Sequence, residues 1–359
     1  LTLIGRTQAC VPMSQTDTET AIPTLPPRKA LVTGASGFLG GKLIHRLLEQ
    51  GCEVAGLCRS PQPELEALGA SMHYVDLANA KEARSACEGQ DVVFHTAAKV
   101  GVWGKRSDFH QANVIGSQAI INGCRDFEVG KLVYTSTPSV VFNGLDLSGA
   151  DESLPFGTEI PCPYPATKVI AEKAVLAAHG QPPGNLKTVA LRPHLIWGPG
   201  DPNLIPRVLD RGRKGRLRIV GSGENRVDLS YIDNVVDAHL CAEAALDRSE
   251  NNPGGRAYFI SNDEPVELWP WINELLQTQG IAPIAKSISL DKARRIGAIL
   301  EGIWSILRLK GEPPMTRFIA SELAKDHWFD ISAAKRDLGY VPRVSMAEGM
   351  SRLLDSLQP

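Results

Sequence analysis

Short apolar runs alternate with longer amphipathic stretches along the first half of the chain. KALVTG (29–34), EVAGLC (53–58), SMHYV (71–75), DVVFHT (91–96), KLVYTS (131–136) and TVALRP (188–193) are mostly apolar runs of strand length. They lack a regular polar alternation, so both faces of each strand call for cover. Helical patterns lie between them at 38–50, where Leu39, Leu43, Leu47 and Leu48 share a face, and at 79–88 and 107–125. Strand–helix alternation with right-handed crossovers predicts an α/β fold, a doubly wound parallel sheet covered on both sides. Beyond about residue 200 the rhythm breaks into helices near 234–247, 267–279, 290–309 and 317–325 and one short strand, AYFISN (257–262). That stretch predicts a smaller, mostly helical lobe on the carboxyl edge of the sheet.

Composition narrows the class of molecule. At 359 residues, 43% hydrophobic and 22% charged, the chain can bury a core of about two structural units. Its 38 Lys+Arg nearly balance 40 Asp+Glu, so no basic field favours nucleic acid. Residues 1–27 hold the polar run MSQTDTET and end in Pro23, Pro26 and Pro27, which reads as a disordered leader. The seven cysteines are scattered without a CxxC pair and read as buried free thiols in a reducing, cytoplasmic setting. The histidines show neither HExxH nor zinc spacing with cysteine, so no metal site is expected.

The turn after the first strand carries the first chemistry. In Thr33-Gly-Ala-Ser-Gly-Phe-Leu-Gly40, Gly34, Gly37 and Gly40 recur every third residue between a predicted strand and a predicted helix. Glycine there permits a tight turn, close approach of a pyrophosphate and close helix–strand packing, and the helix start offers free N–H groups. Ser36, Phe38 and Leu39 belong to the same cradle. An acidic residue ending the second strand would bind a ribose 2′-hydroxyl; Arg59 stands there instead and can pair with a 2′-phosphate. NADP is therefore expected, with NAD as the alternative. Asp76 and Leu77, after the third strand, fall where an adenine would be bracketed.

A second motif, Tyr164-Pro-Ala-Thr-Lys168, puts a phenol and an ammonium one helical turn apart. A neighbouring cation favours the phenolate and is expected to bring the tyrosine pKa down towards working pH, as acid–base chemistry requires. Thr135, Ser136, Thr137 and Ser139 cluster at the carboxyl end of the fifth strand, the end that faces the ligand crevice in such sheets. One of these hydroxyls can polarise a substrate carbonyl.

With these motifs in order, the chain resembles the extended short-chain dehydrogenase/reductases. TGASGFLG, TAA (96–98), Asn113, YTSTPS (134–139), YPATK and LRPHLIWGPGD (191–201) carry the resemblance. HTAAKVGVWG (95–104), HQANVIGSQ (110–118), VDLSYIDN (227–234), YFISNDEP (258–265) and GEPPMTRF (311–318) point to the 3β-hydroxysteroid-dehydrogenase-like branch, most of all to its bacterial members that reduce 2-alkyl-3-oxoalkanoates in long-chain olefin biosynthesis. The resemblance spans about residues 29–354 and implies a Rossmann domain over 28–200, with a substrate lobe over 201–359 interleaved with its last elements. It implies hydride transfer from NADPH to the 3-keto carbon, Tyr164 donating the proton, Lys168 holding the nicotinamide ribose, and Thr137 orienting the carbonyl, with Ser136 as the alternative. It also places Ala97, Ala98, Lys99, Pro193 and Ile196 along the cofactor and gives Asn113 a supporting role under the active-site helix. A steroid or sterol 3-dehydrogenase is the alternative, on the same Thr-Tyr-Lys set.

For a bulky hydrophobic keto substrate, Val100, Val102 and Trp103 are expected to line the pocket from one side, with His194 and Trp197 opposite and Ser139 nearby. Lys99, Arg207 and Arg211 are candidates to hold a carboxylate. A homodimer or an assembly with enzymes of the same pathway is an open expectation. Residues 296–309 (IGAILEGIWSILRL) are too short to span a bilayer. A buried helix or a lid over an alkyl chain is the favoured reading, and a membrane-surface helix the second.

Overall fold

The computed structural model describes Pro26 and residues 28–158 and 160–358. The expected leader, Pro26 aside, lies outside the described residues. Seven parallel strands form the central sheet: β1 (Lys29–Thr33), β2 (Glu53–Cys58), β3 (Ser71–Tyr74), β4 (Val92–His95), β5 (Lys131–Thr135), β6 (Lys187–Pro193) and β7 (Arg256–Ile260). Their order is β7-β6-β5-β4-β1-β2-β3. The chain builds outward from β1 through β3, then returns to the other side of β1 with β4. That reversal opens a crevice at the carboxyl ends of β1 and β4. Apolar side chains of these strands feed two buried clusters, one on each face, as a doubly wound sheet requires.

Helices cover both faces. α1 (Phe38–Glu49) buries Leu39, Leu43, Ile44 and Leu47. The predicted helix at 107–125 is a continuous helical rod in three parts: Arg106–Phe109, a π-turn at His110–Ile115, and α2 (Gly116–Asp126). α3 (Pro163–Ala177) carries the YPATK motif, with Pro163 at its first position, where no N–H is required. α4 (Leu204–Arg213) starts beside Asp201, whose carboxylate accepts the amides of Asn203, Leu204 and Ile205 at 2.8–3.2 Å. α5 (Ile232–Ala245) lies under the sheet and is buried along nearly its whole length.

Two elements beyond residue 200 therefore belong to the dinucleotide half. The strand expected in the substrate lobe is β7, paired in parallel with β6 from Arg256↔Val189 to Ile260↔Pro193. α5 packs beside it. The remaining C-terminal chain supplies α6 (Leu290–Leu307), α7 (Arg317–Glu322) and three strands (Val266–Glu267, Arg226–Val227, His327–Phe329) of a four-stranded sheet that Leu147–Ala150 completes at its edge. The buried-helix reading of 296–309 is corrected here: in α6 only Ala293 and Gly297 are buried. The six described cysteines are buried and unbonded. No helix among the described residues is long and apolar enough to cross a membrane.

Candidate active site

The glycine turn is shaped by packing. Gly34 has φ +72°, and a Cβ there would lie 2.9 Å from Ala97 Cα. A Cβ on Gly40 would meet the Gly34 carbonyl oxygen at 2.2 Å. Glycine thus lets α1 and the β4 loop close onto the turn. α1 carries no acidic residue in its first turn and no side-chain cap, so its leading N–H groups and positive dipole end face the crevice. The residues present fit a dinucleotide.

From this cradle a cavity of about 1150 Å³ runs to the tip of α3. Gly34, Ser36, Gly37, Phe38, Leu39, Gly40, Arg59, Asp76 and Leu77 line one end. Ala97, Ala98, Lys99, Val100, Thr135, Ser136, Thr137, Tyr164, Lys168, Pro193 and Ile196 line the other. All these sequence-predicted positions come together. Arg207 lies on the cavity wall too, but its guanidinium pairs with Glu312 Oε2 at 2.7 Å, and Arg211 is not on that wall.

Five expected pocket residues are elsewhere. Trp197 is fully buried in the core, edge-on to Tyr231 and Trp271 at centroid distances of 5.5 and 5.3 Å. His194 is buried with its Nε2 2.6 Å from His327 Nδ1, while His327 Nε2 lies 2.6 Å from the Glu322 carbonyl. A carbonyl can only accept, so His327 donates to it from Nε2, and the two rings share a hydrogen bond between His194 Nε2 and His327 Nδ1. His194 is spent on joining the end of β6 to the small sheet. Val102 turns its amide to Glu312 Oε1 at 3.0 Å, and Trp103 sits half-buried on the same loop, neither lining the cavity. Ser139 serves the local turn, its amide donating to Thr137 Oγ1 at 3.3 Å. Each of the five is spent on the core, a loop or a local turn rather than on the crevice.

The hydroxyl cluster sorts itself by partners. Thr135 Oγ1 lies 2.8 Å from His239 Nε2, and His239 Nδ1 is 2.7 Å from the Val235 carbonyl. Burial holds His239 at about 4, so it is neutral and accepts the Thr135 proton. Ser136 donates to the Glu172 carboxylate, which in turn grips Arg192 through Nε at 3.1 Å and Nη2 at 2.5 Å. Thr137 alone keeps its hydroxyl beside the Tyr164 phenol, favouring the phenolate by hydrogen bonding. Glu172 went unnoticed in the sequence, although it continues the i, i+4 stripe of Tyr164 and Lys168 on the same helix face.

Lys168 is fully enclosed. Its Nζ donates to the Thr135 carbonyl at 2.6 Å and stands 4.0 Å over the Tyr134 ring. Burial pulls its pKa down to about 7, against the upward pull of Glu172. Tyr164 moves the other way from the sequence expectation: burial pushes it up to about 12, with Thr137 opposing. The physical reason is that one apolar enclosure acts on both groups. It penalises the phenolate and it also weakens the cation meant to stabilise it.

Asn113, buried inside the π-turn, ties the loop above β4 to α3. Its Oδ1 accepts the Lys99 amide at 2.7 Å, and its Nδ2 donates to the Lys99 carbonyl at 3.1 Å and to Thr167 Oγ1 at 3.0 Å. The π-turn offsets the rod where this bridging amide sits. His95 similarly bridges Thr33 and Ser117 at 2.7 and 2.8 Å, and burial keeps it neutral, at about 3.

A doubly wound sheet with a glycine cradle and a Tyr–Lys pair at its carboxyl edge defines an extended short-chain dehydrogenase/reductase, and solved structures agree on the fold. MoeE5 in complex with UDP-glucose and NAD superposes with a TM-score of 0.71 at 23% identity, covering 91% of this chain and 98% of that one. The chain belongs to the 3-beta hydroxysteroid dehydrogenase/isomerase family, whose model matches residues 31–291. It is 49% identical to the 2-alkyl-3-oxoalkanoate reductase of Stenotrophomonas maltophilia, over 90% of this chain and 98% of that protein. The Shewanella oneidensis protein of the same name is 46% identical over 99% and 93%. A mouse (Mus musculus) sterol-4-alpha-carboxylate 3-dehydrogenase, decarboxylating, is 32% identical over 92% and 91%. The protein is an oxidoreductase with a nicotinamide-type dinucleotide site.

Proposed function

We propose that the protein reduces the 3-keto group of a 2-alkyl-3-oxoalkanoate to the 3-hydroxy acid with NADPH, in the cytoplasm. The observation that carries this reading is the meeting of Tyr164, Lys168 and the Thr137 hydroxyl, held only by long contacts to Ser139, at the far end of the glycine-cradled cavity. A dinucleotide held by the cradle would supply hydride to the carbonyl carbon. Thr137 would hold the carbonyl oxygen by donating its hydroxyl. Tyr164, kept protonated by burial, is the proton donor to that oxygen, which suits the reductive direction. Lys168, fixed on the Thr135 carbonyl, positions a ribose and carries charge beside the phenol. Arg59, exposed on the cavity wall at the end of β2, supports a 2′-phosphate and hence NADPH.

The choice of substrate is supported by likeness to the two bacterial reductases, at 49% and 46% identity against 32% for the sterol enzyme. Val100, Leu195, Ile196 and Leu204 give the substrate end an apolar wall suited to alkyl chains. Buried, unbonded thiols suit a reducing compartment. The test is NADPH oxidation with a synthetic 2-alkyl-3-oxoalkanoate beside a 3-ketosteroid. Turnover of the keto acid with little of the steroid is expected; a preference for the steroid would replace this reading with the sterol one.

A further inference from the structure

Helix α6 is oriented the wrong way round for an ordinary surface helix. Its polar side faces the protein: Arg294 donates to Ser321 Oγ at 3.0–3.1 Å, and Glu301 accepts the Arg317 amide and side chain at 2.7–2.8 Å. Its small residues face inward as well, and a Cβ on Gly297 would come within 2.7 Å of the Thr316 backbone. The apolar side faces outward. Ile299 is 63% exposed, Ile306 81% and Leu307 63%, with Ile296, Ile303 and Leu309 exposed beside them. An amphipathic helix normally turns its apolar stripe to the core. Contiguous exposed aliphatic surface of this kind marks a face that something covers.

We infer that the outer face of α6, continued through Leu309, docks on an anionic lipid surface. The charges around the stripe choose this occupant. Lys292 and Arg295 precede the apolar run and Arg308 and Lys310 follow it, all exposed, against one exposed carboxylate, Asp291. Glu301 is taken inward by Arg317. Aliphatic side chains framed by cations match the acyl boundary and the phosphates of an anionic leaflet. A self-complementary contact with a second copy would instead set this cationic frame against its own likeness. The helix is 18 residues long and carries charges along its length, so it lies on the surface and does not cross it. From its end the chain runs directly through Arg308–Gly311 to Glu312, which lines the cavity and bonds to the Val102 amide and Arg207. On the substrate reading proposed above, a docked α6 would bring the mouth of the cavity to the surface into which a long-chain keto acid would partition.

The experiment is flotation of the full-length protein with vesicles of phosphatidylcholine alone or with 30% phosphatidylglycerol. The wild type is expected to float with the anionic vesicles at low salt and to lose most of that binding when salt screens the phosphates. Ile299→Asp/Ile303→Asp should lose binding at least tenfold, and Lys292→Glu/Arg308→Glu should lose it selectively for anionic vesicles. Both variants should keep wild-type turnover of a short soluble ketone and an unchanged Tm, because none of these side chains is buried. Absence of binding to anionic vesicles at low salt would overturn the inference. So would a fall in molar mass by light scattering for Ile299→Asp/Ile303→Asp without any loss of vesicle binding, since the stripe would then be a contact between copies.

Discussion

α3 and α6 are both helices that turn charged residues toward the protein, and they differ in what those charges meet. In α3, Lys168 and Glu172 enter a closed region and are held there by the Thr135 carbonyl, Ser136 and Arg192. The enclosure shifts Lys168 to about 7 and Tyr164 to about 12. In α6, Arg294 and Glu301 make hydrogen bonds near the surface and the aliphatic residues are left outside. Inward charge alone therefore does not mark a catalytic helix. What marks α3 is enclosure, a shifted titration and, beside its tyrosine, a Thr137 hydroxyl whose other contacts are only the long ones to Ser139.

The largest test of that contrast is removal of the Tyr164 hydroxyl. Tyr164→Phe is expected to lower kcat by about 10²–10⁴-fold, the usual worth of a positioned proton donor. NADPH affinity by fluorescence titration should stay within about twofold. A variant with wild-type turnover would end the assignment of Tyr164 as the donor.

The next test separates core from pocket at the end of β6. Trp197→Ala should cost about 3–5 kcal/mol of stability in a denaturant titration, as for other buried aromatics. The KM of the folded fraction should barely move. A large selective change in KM at full stability would return Trp197 to the substrate wall.

A third test uses pH. Lys168 titrates near 7 in the folded protein and at its ordinary 10.5 when unfolded. Between those values the unfolded chain binds the extra proton, so this group's contribution to stability rises with pH across the window, and its full cost is present below about 7. Replacing it by Met removes that slope. The stability of Lys168→Met relative to wild type should therefore be greatest at pH 6 and decline by of order a few kcal/mol towards pH 10. Urea unfolding at several pH values measures it; a difference that stays flat would mean Lys168 keeps its ordinary pKa.

The smallest expected effect lies at the other end of the cavity. Arg59→Ala should weaken NADPH about tenfold, or about 1.4 kcal/mol, while leaving NADH within about twofold. Equal losses for both would make Arg59 a general contact and not a 2′-phosphate reader.

The cofactor end was the more legible part. Gly34, Gly37 and Gly40 sit in one turn, Tyr164 and Lys168 on one helical turn, and Arg59 and Asp76 at the ends of recognisable strands. Local geometry alone brings such residues together, so a linear pattern carries them. The substrate side obeys no local rule. Glu312 reaches Val102 across 210 positions and Arg207 across 105. His194 and Trp197, only a few residues past β6, turned out to belong to the core. A residue's distance from a strand end says which edge it is near, but not which way its side chain points.

From the sequence alone came the parallel sheet, the glycine cradle and the tyrosine–lysine pair, because each rests on periodicity or spacing within a few residues. Only the tertiary structure decided which hydroxyl stands beside the tyrosine, which way Tyr164 is shifted and which face of α6 is bare. Those three properties depend on what lies opposite in space: Glu172 beside Ser136, an apolar enclosure around Tyr164 and Lys168, and Arg317 and Ser321 drawing the polar side of α6 inward.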